Sequence, residues 1–383
     1  MKRIYYFKFG WILLLAVLVL GVSIITPAAA SNKVVKQTPL IAHQSAATSI
    51  NATFYLTTAS LKSLFQSHMD SQVPTSVNSA ITSMISTLPK QDQDWAYLMA
   101  TTLIQPSATL VSLVPQKGGL AMTLKLSLYP GDPLPTTSSM LITFTVLNST
   151  TAQVSASPMN GSPALMSGPL STFTMPLGSL NKINSTPGCG ASSLALNLKF
   201  PVSVGQSQSS SPPQQSANAT GGQNLLASQL TTRTLASSNV NSYIEIPASS
   251  LASMGSAIGS MPVGNGLTAQ NFQISVQNPN ILITSDIIWS GLNIGTATTT
   301  MMPSAEAGKM VVHVVNTTLN LFGFIPFPMN SYNAQTEQTL NSELGSAFGS
   351  TYYVASAAIG PNSQLPCAAQ DSLVLSGTAN LNL

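Results

Sequence analysis

Histidine is the side chain that most often performs acid–base catalysis or binds zinc, and this chain has only 3 histidines in 383 residues. None of the three has a partner at metal-ligand spacing such as His-x-x-x-His. His43 lies in a polar lead-in, His68 on the polar side of a predicted helix, and His313 in the apolar run MVVHVV. The pattern favours surface or core histidines over a zinc site or a catalytic triad.

Other catalytic patterns are equally sparse. One Ser-x-x-Lys motif runs from Ser179 to Lys182, but no Lys-Thr-Gly follows it, and a chance match is expected in so Ser-rich a chain. Asp92 and Asp94 form the densest acidic pair, which we interpret as a solvated loop rather than a calcium site. There is no glycine-rich phosphate loop. The sequence therefore predicts a protein that is not an enzyme and uses no metal or other cofactor.

An internal repeat organises the chain. The stretch from Asn51 to Leu64 matches the stretch from Asn241 to Met254: each is a short alternating strand followed by a helical pattern. A second match surrounds the only two cysteines, Cys189 and Cys367, each of which comes just before the last predicted strand of its half. We expect a tandem duplication.

The cysteines admit two interpretations. If a pseudo-twofold axis relates the halves, equivalent positions meet near it, and Cys189 and Cys367 can form a disulfide in an oxidising compartment. The alternative is two buried thiols that act as small apolar side chains. The sequence favours the disulfide.

The N-terminus is typical of an export signal. Lys2, Arg3 and Lys8 precede an uncharged run from Trp11 to Ala30 that ends in small residues. The alternative is an uncleaved membrane anchor, for which the run is just long enough. Either reading predicts a secreted or extracytoplasmic protein.

Composition divides the rest of the chain. A stretch rich in Ser, Gln and Pro lies between the two repeats and is typical of a flexible linker. The predicted layout is a signal peptide or anchor at 1–30, a flexible lead-in at 31–48, a first domain at 49–204, a linker at 205–236 and a second domain at 237–383.

Charge is unusually scarce. Charged residues make up 6% of the chain, against roughly 25% in ordinary domains. Three of the 13 Lys and Arg residues precede residue 9, which leaves ten to balance the 10 Asp and Glu residues. Nucleic-acid binding needs clustered basic residues, so we expect no nucleic-acid partner.

The periodicities predict an α+β fold with two similar domains, each a curled antiparallel β-sheet packed around one or two helices. A helix is predicted from Ser60, with an interruption at Pro74 and a second amphipathic helix from Val77 to Leu88. Strict alternation from Leu120 to Leu128 is typical of a half-buried antiparallel strand.

The remaining functional signal is apolar. The chain has 15 methionines, whose side chains adapt to variable ligands, and the helices have wide apolar faces. An apolar groove between helix and sheet is one interpretation; an ordinary filled core is the other. The candidate lipid-binding residues, taken from the helix faces, are Leu61, Leu64, Phe65, Ile81, Met84, Ile85, Leu251, Met254 and Ile258.

The strand–helix opening from Thr53 to Phe65 and the region from Ile283 to Leu344 resemble the tubular lipid-binding (TULIP-like) superfamily, in the style of extracytoplasmic bacterial YpmS-like proteins. The scarcity of charge departs from those relatives. The resemblance implies binding or transfer of a lipid or other amphiphile at the membrane surface or cell envelope, without catalysis. The alternative function is a β-rich surface or wall-associated adhesin that binds glycan or protein.

Overall fold

The protein is built from three antiparallel β-sheets and a few helices in the computed structural model. The structure describes residues 48–159, 161, 168–175, 177–190, 192–202, 241–264, 266–330, 333–334, 336–338, 340–341 and 352–379. The predicted signal at 1–30, the lead-in up to residue 47 and the linker at 205–236 lie outside these residues.

A six-stranded sheet joins the two halves of the molecule. Its strand order is β7-β8-β1-β9-β17-β16, so each half contributes three neighbouring strands. The strands are β1 (Thr48–Thr57), β7 (Ser179–Asn184), β8 (Ser192–Val202), β9 (Ser242–Ile246), β16 (Tyr352–Ile359) and β17 (Leu373–Ala379).

The first half adds two helices and a five-stranded meander. The helices are α1 (Thr58–Ser86) and α2 (Lys90–Leu103), and α1 packs against β2. The meander runs in chain order through β2 (Ser107–Gln116), β3 (Gly119–Ser127), β4 (Thr136–Val146), β5 (Thr151–Pro158) and β6 (Gly168–Thr174).

The second half has a similar plan, in which the short helix α3 (Ala248–Ala257) packs against β11. Its meander runs through β10 (Met261–Gly264), β11 (Leu267–Gln277), β12 (Asn280–Trp289), β13 (Leu292–Glu306), β14 (Lys309–Leu321) and β15 (Ile325–Pro328). The architecture is thus the predicted one, with curled antiparallel sheets packed around helices.

The register of β1 against β9 shows how the repeats are related. The sequence repeat matches Phe54 with Ile244, and these two residues are direct cross-strand partners. One step to either side, Thr53 pairs with Glu245 and Tyr55 pairs with Tyr243. An exchange of the two repeats maps each of these pairs onto the other, so a local twofold axis passes between Phe54 and Ile244.

Helix α1 begins at a side-chain cap and is held by one apolar face. The Thr57 hydroxyl accepts a hydrogen bond from the Ser60 amide at 3.1 Å, which satisfies one of the free donors of the first turn. Leu61, Phe65 and Met69 are buried at intervals of four residues, as the helical spacing predicts.

Two predictions of local structure in the first half are wrong. Pro74 does not interrupt the helix but lies inside α1. It lacks the N–H that would bond to the Asp70 carbonyl, and its ring crowds that carbonyl. Burial of Met69 and Val73, which precede it on α1, offsets this cost. Asp92 and Asp94 lie in α2 instead of a loop.

The disulfide is formed. Cys189 and Cys367 are bonded with a Cα–Cα distance of 5.2 Å and a sequence separation of 178 residues. The bond lies beside a small buried cluster that includes Tyr55 and Tyr243 from the two central strands. Because Tyr55 and Tyr243 pair next to the local twofold axis, the disulfide joins the two halves close to that axis.

The phenol of Tyr55 is affected by this environment. Burial, and secondarily the negative charge of Glu245, raises the pKa of Tyr55.

The side chain of Tyr352, the first residue of β16, contacts other strands of the central sheet. Its ring is buried and meets Phe54 edge-on, with ring centroids 6.2 Å apart. Its hydroxyl lies 3.2 Å from the Ser242 carbonyl oxygen and 3.3 Å from that of Leu375. Burial raises the pKa of this phenol.

Side chains cover the part of the β14 edge that precedes Thr318, where the pairing with β15 begins. Residues 333–334, 336–338 and 340–341 are helical. The Asn341 side chain accepts from the Val312 amide at 2.7 Å and donates to the Val312 carbonyl at 3.0 Å. Glu337 accepts from the Val314 amide at 2.8 Å. These bonds replace the ladder that a further strand would make. No helix among the described residues is long and apolar enough to cross a membrane.

Candidate binding groove

A groove of about 390 Å³ lies between α1 and the first-half sheet. One wall is the middle of α1, and the other is formed by the ends of β2, β3 and β6. The lining residues are His68, Gln72, Val73, Ser76, Val77, Ala108, Leu124, Leu126, Pro169 and Leu170.

The floor of the groove is apolar. Val73, Ala108 and Leu124 are buried and belong to the main hydrophobic core of the molecule. Val77 and Leu126 are half-buried against the same core. An aliphatic chain placed in the groove would therefore extend the existing core.

The rim of the groove on α1 is polar. His68, Gln72 and Ser76 follow one another at intervals of four residues, so they form one stripe along the helix. Among the described residues, none of these three side chains has a hydrogen-bond partner. The neighbouring Gln66 is different, because its amide group bonds to the Ala108 carbonyl at 2.8 Å and to the Leu110 amide at 2.8 Å. Gln66 thus fixes α1 to β2, while the rim stripe keeps its donors available.

Among the described residues that line the groove there is no Asp, Glu, Lys or Arg. Asp70, which lies between two rim positions, is exposed, and its carboxylate accepts a hydrogen bond from Gln66 at 2.7 Å. Lys125 lies between two lining leucines of β3 but is exposed. Recognition in the groove must therefore rest on apolar contact and neutral or histidine hydrogen bonding.

The helices continue past the groove as an apolar hairpin, residues 81–103, which we call the helical hairpin. The Gln93 side-chain amide in α2 donates to the carbonyl of Ser86, the last residue of α1, at 3.3 Å and to the Leu88 carbonyl in the connecting turn at 2.8 Å. Its large apolar side chains are turned to solvent, and the exposed fractions are 71% for Met84, 41% for Leu88, 66% for Trp95, 53% for Tyr97, 63% for Leu98, 39% for Met99 and 56% for Leu103.

The nine lipid-binding residues that were predicted from helix faces do not line this groove. Leu61, Phe65 and Leu251 are buried in the core, and Met84 is exposed. Leu64, Ile81, Ile85, Met254 and Ile258 are half-buried. Contact between any of the nine and a ligand stays a prediction.

The other residues that the sequence analysis considered for catalysis or metal binding, Ser179, Lys182 and His313, do not line the groove. Ser179 and Lys182 lie exposed on β7, an edge strand of the central sheet. His313 lies between two carboxylates, 3.4 Å from Glu306 and 3.3 Å from Glu337. Within the part of the chain that the structure describes, no three His, Cys, Asp or Glu side chains are grouped so that they could hold a metal ion.

The rim stripe is the feature that sequence reasoning missed. The sequence pattern favours a surface or core role for His68, because no partner lies at metal-ligand spacing. The available signal was its position in the series 68, 72 and 76, directly beside the apolar series 73 and 77 on the same helix. Only the position of β6 shows that these two stripes border a cavity.

No family model matches the chain, and no curated protein matches it either. Among solved structures, it is similar to a lipopolysaccharide binding protein at 10% identity and a TM-score of 0.29, which covers 86% of this chain and 98% of that one. It is also similar to P47 from Clostridium botulinum A2 at 8% identity and a TM-score of 0.31, with 86% and 97% covered. It is similar as well to P47 of Clostridium botulinum E1 at 8% identity and a TM-score of 0.28, which covers 86% of this chain and 99% of that one. Likeness at this level does not define a ligand for this chain.

Proposed function

We propose that this chain is a non-enzymatic extracytoplasmic protein that binds, and transfers, a lipid or other amphiphile at the cell envelope. The observation that carries the proposal is the groove beside α1, which combines an apolar floor with unpaired polar side chains along one rim. This is the arrangement that an amphiphile needs, since its tail and its head require different surroundings.

The apolar floor offers enough driving force for a long tail. Each buried methylene contributes about 0.8 kcal/mol, so a tail of about twelve methylenes would contribute about 10 kcal/mol before the costs of association. Those costs are at least about 4 kcal/mol. Short tails would therefore bind poorly, and the groove favours ligands with long aliphatic chains.

The helical hairpin supports a role at a lipid surface. It follows the groove directly along α1, and α2 ends shortly before Ala108, which lies in the groove wall. Trp and Tyr side chains favour the boundary between water and lipid, and Trp95 and Tyr97 are both exposed there. A hairpin that rests on a lipid layer would bring the groove close to its ligands.

Two features support a location outside the cytoplasm. The Cys189–Cys367 disulfide is a bond of the kind that persists in oxidising compartments. The N-terminal sequence carries the predicted export signal. The resemblance to tubular lipid-binding proteins, drawn from the sequence, points in the same direction.

Bulk placed in the groove tests the proposal. Val77→Trp should fill the groove, whereas Asn78→Trp adds the same bulk at the adjacent exposed position of α1. Transfer of a pyrene-labelled fatty acid from vesicles to the protein should fall at least about tenfold in the first variant and stay unchanged in the second. Equal transfer by both variants, or none to the unsubstituted protein, would refute the groove as the binding site.

The hairpin has a test of its own. Trp95→Ser should weaken binding to phosphatidylcholine vesicles, and Trp289→Ser is the matched control because Trp289 is also half-exposed, at 50%. Equal vesicle binding by the two variants would exclude the hairpin as the contact surface.

A further inference from the structure

We propose that the groove selects amphiphiles with a single acyl chain and an anionic head, which the rim stripe of His68, Gln72 and Ser76 recognises. This inference rests on the proposed function of the same groove and adds the ligand class.

The volume of the groove sets the number of chains. A methylene takes about the space of a liquid water molecule, about 30 Å³. The groove is open to solvent along its rim, and its 390 Å³ matches about 13 carbons, which is one chain of medium length. The second chain of a two-chain lipid of this length would lie outside this space, in contact with water. The groove thus fits fatty acids and other single-chain amphiphiles.

The chemistry of the rim sets the head group. An amide N–H₂, a hydroxyl and an imidazole can all donate hydrogen bonds, and the imidazole carries a positive charge when it is protonated. Carboxylate and phosphate oxygens accept hydrogen bonds without donating any when they are ionised, so they match this set of donors. None of the described lining residues is acidic, and the exposed carboxylate nearest in sequence, that of Asp70, accepts a hydrogen bond from Gln66. An anionic head therefore meets no like charge among these lining residues.

The spacing of the rim residues suits a head at the surface and a tail inside. His68 is half-buried, whereas Gln72 and Ser76 are exposed. Val73 and Val77 lie next to them on the same helix and face the groove. A head group along the stripe therefore stays in contact with water while its tail enters between Val73 and Leu124.

Three ligands with the same chain length separate the parts of the inference: tetradecanoate, tetradecanol and dimyristoyl phosphatidylcholine. Isothermal titration should show that tetradecanoate binds at least about tenfold more tightly than tetradecanol, the gain expected for charge-assisted hydrogen bonds. The double variant His68→Ala/Gln72→Ala should lose this preference while its affinity for tetradecanol is unchanged. Asn78→Ala, on the same helix outside the groove, should keep the preference.

The outcomes are distinguishable. Equal affinity for the acid and the alcohol would overturn recognition by the rim, and so would a preference that survives the double variant. Tighter binding of dimyristoyl phosphatidylcholine than of tetradecanoate would overturn the single-chain class but leave the proposed function intact. Failure of all three ligands to bind would overturn both.

Discussion

The disulfide should provide a large share of the stability of the protein. Cys189 and Cys367 are 178 residues apart, and cross-linking so long a segment restricts the unfolded chain by about 5 kcal/mol in the loop-entropy model. The double variant Cys189→Ala/Cys367→Ala removes the bond and leaves no free thiol. Alanine suits the site because Cys189 is buried, where a serine hydroxyl would need a partner.

Urea unfolding monitored by circular dichroism measures the effect. We expect the free energy of unfolding to fall by about 3–5 kcal/mol, with the lower value allowing for residual structure in the unfolded chain. The unsubstituted protein treated with a reductant should match the double variant. A loss below about 1 kcal/mol would refute the reasoning, because the cross-link would then not restrict the unfolded chain as the loop-entropy model requires.

Three further predictions concern the central sheet, α1 and the edge of β14. Burial raises the pKa of Tyr352 above its ordinary value of 10.0, so the unfolded chain releases this proton first and the free energy of unfolding falls as pH rises above 10. Between pH 8 and pH 11 the urea midpoint should therefore drop less steeply in Tyr352→Phe than in the unsubstituted protein. Equal slopes would contradict the assignment. Pro74→Ala restores a helical hydrogen bond and should stabilise the protein by about 1–2 kcal/mol in the same assay, whereas a loss would show that α1 depends on the proline. Asn341→Ala removes both bonds to the Val312 backbone and should raise hydrogen exchange at that amide at least about tenfold, while an unchanged rate would mean that another group protects the edge.

The sequence predicted those elements whose pattern is strong and local. The spacing of Leu61, Leu64 and Phe65 located the apolar face of α1. Strict alternation located β3, which the structure places at Gly119–Ser127. The match between the neighbourhoods of Cys189 and Cys367 favoured the disulfide, because equivalent positions of two repeats related by a twofold axis can meet where they lie close to that axis.

The sequence did not predict elements whose patterns are weak. Strand β13, at Leu292–Glu306, is rich in threonine and shows little alternation between buried and exposed positions, so its neighbours in the sheet determine its structure. Helix α2 is mostly exposed and has no apolar face directed at a core. The groove itself depends on where β6 lies against α1, and that contact is between segments about 100 residues apart in the chain.

Native mass spectrometry of the protein, purified from its host without detergent, tests the central claim most directly. We predict a population heavier than the polypeptide by the mass of one amphiphile, which an organic extract then identifies, and we predict that Val77→Trp abolishes this population while Asn78→Trp retains it. A spectrum that contains the polypeptide mass alone, unchanged after incubation with tetradecanoate or with phospholipid vesicles, would contradict the account and identify the groove as a feature of packing.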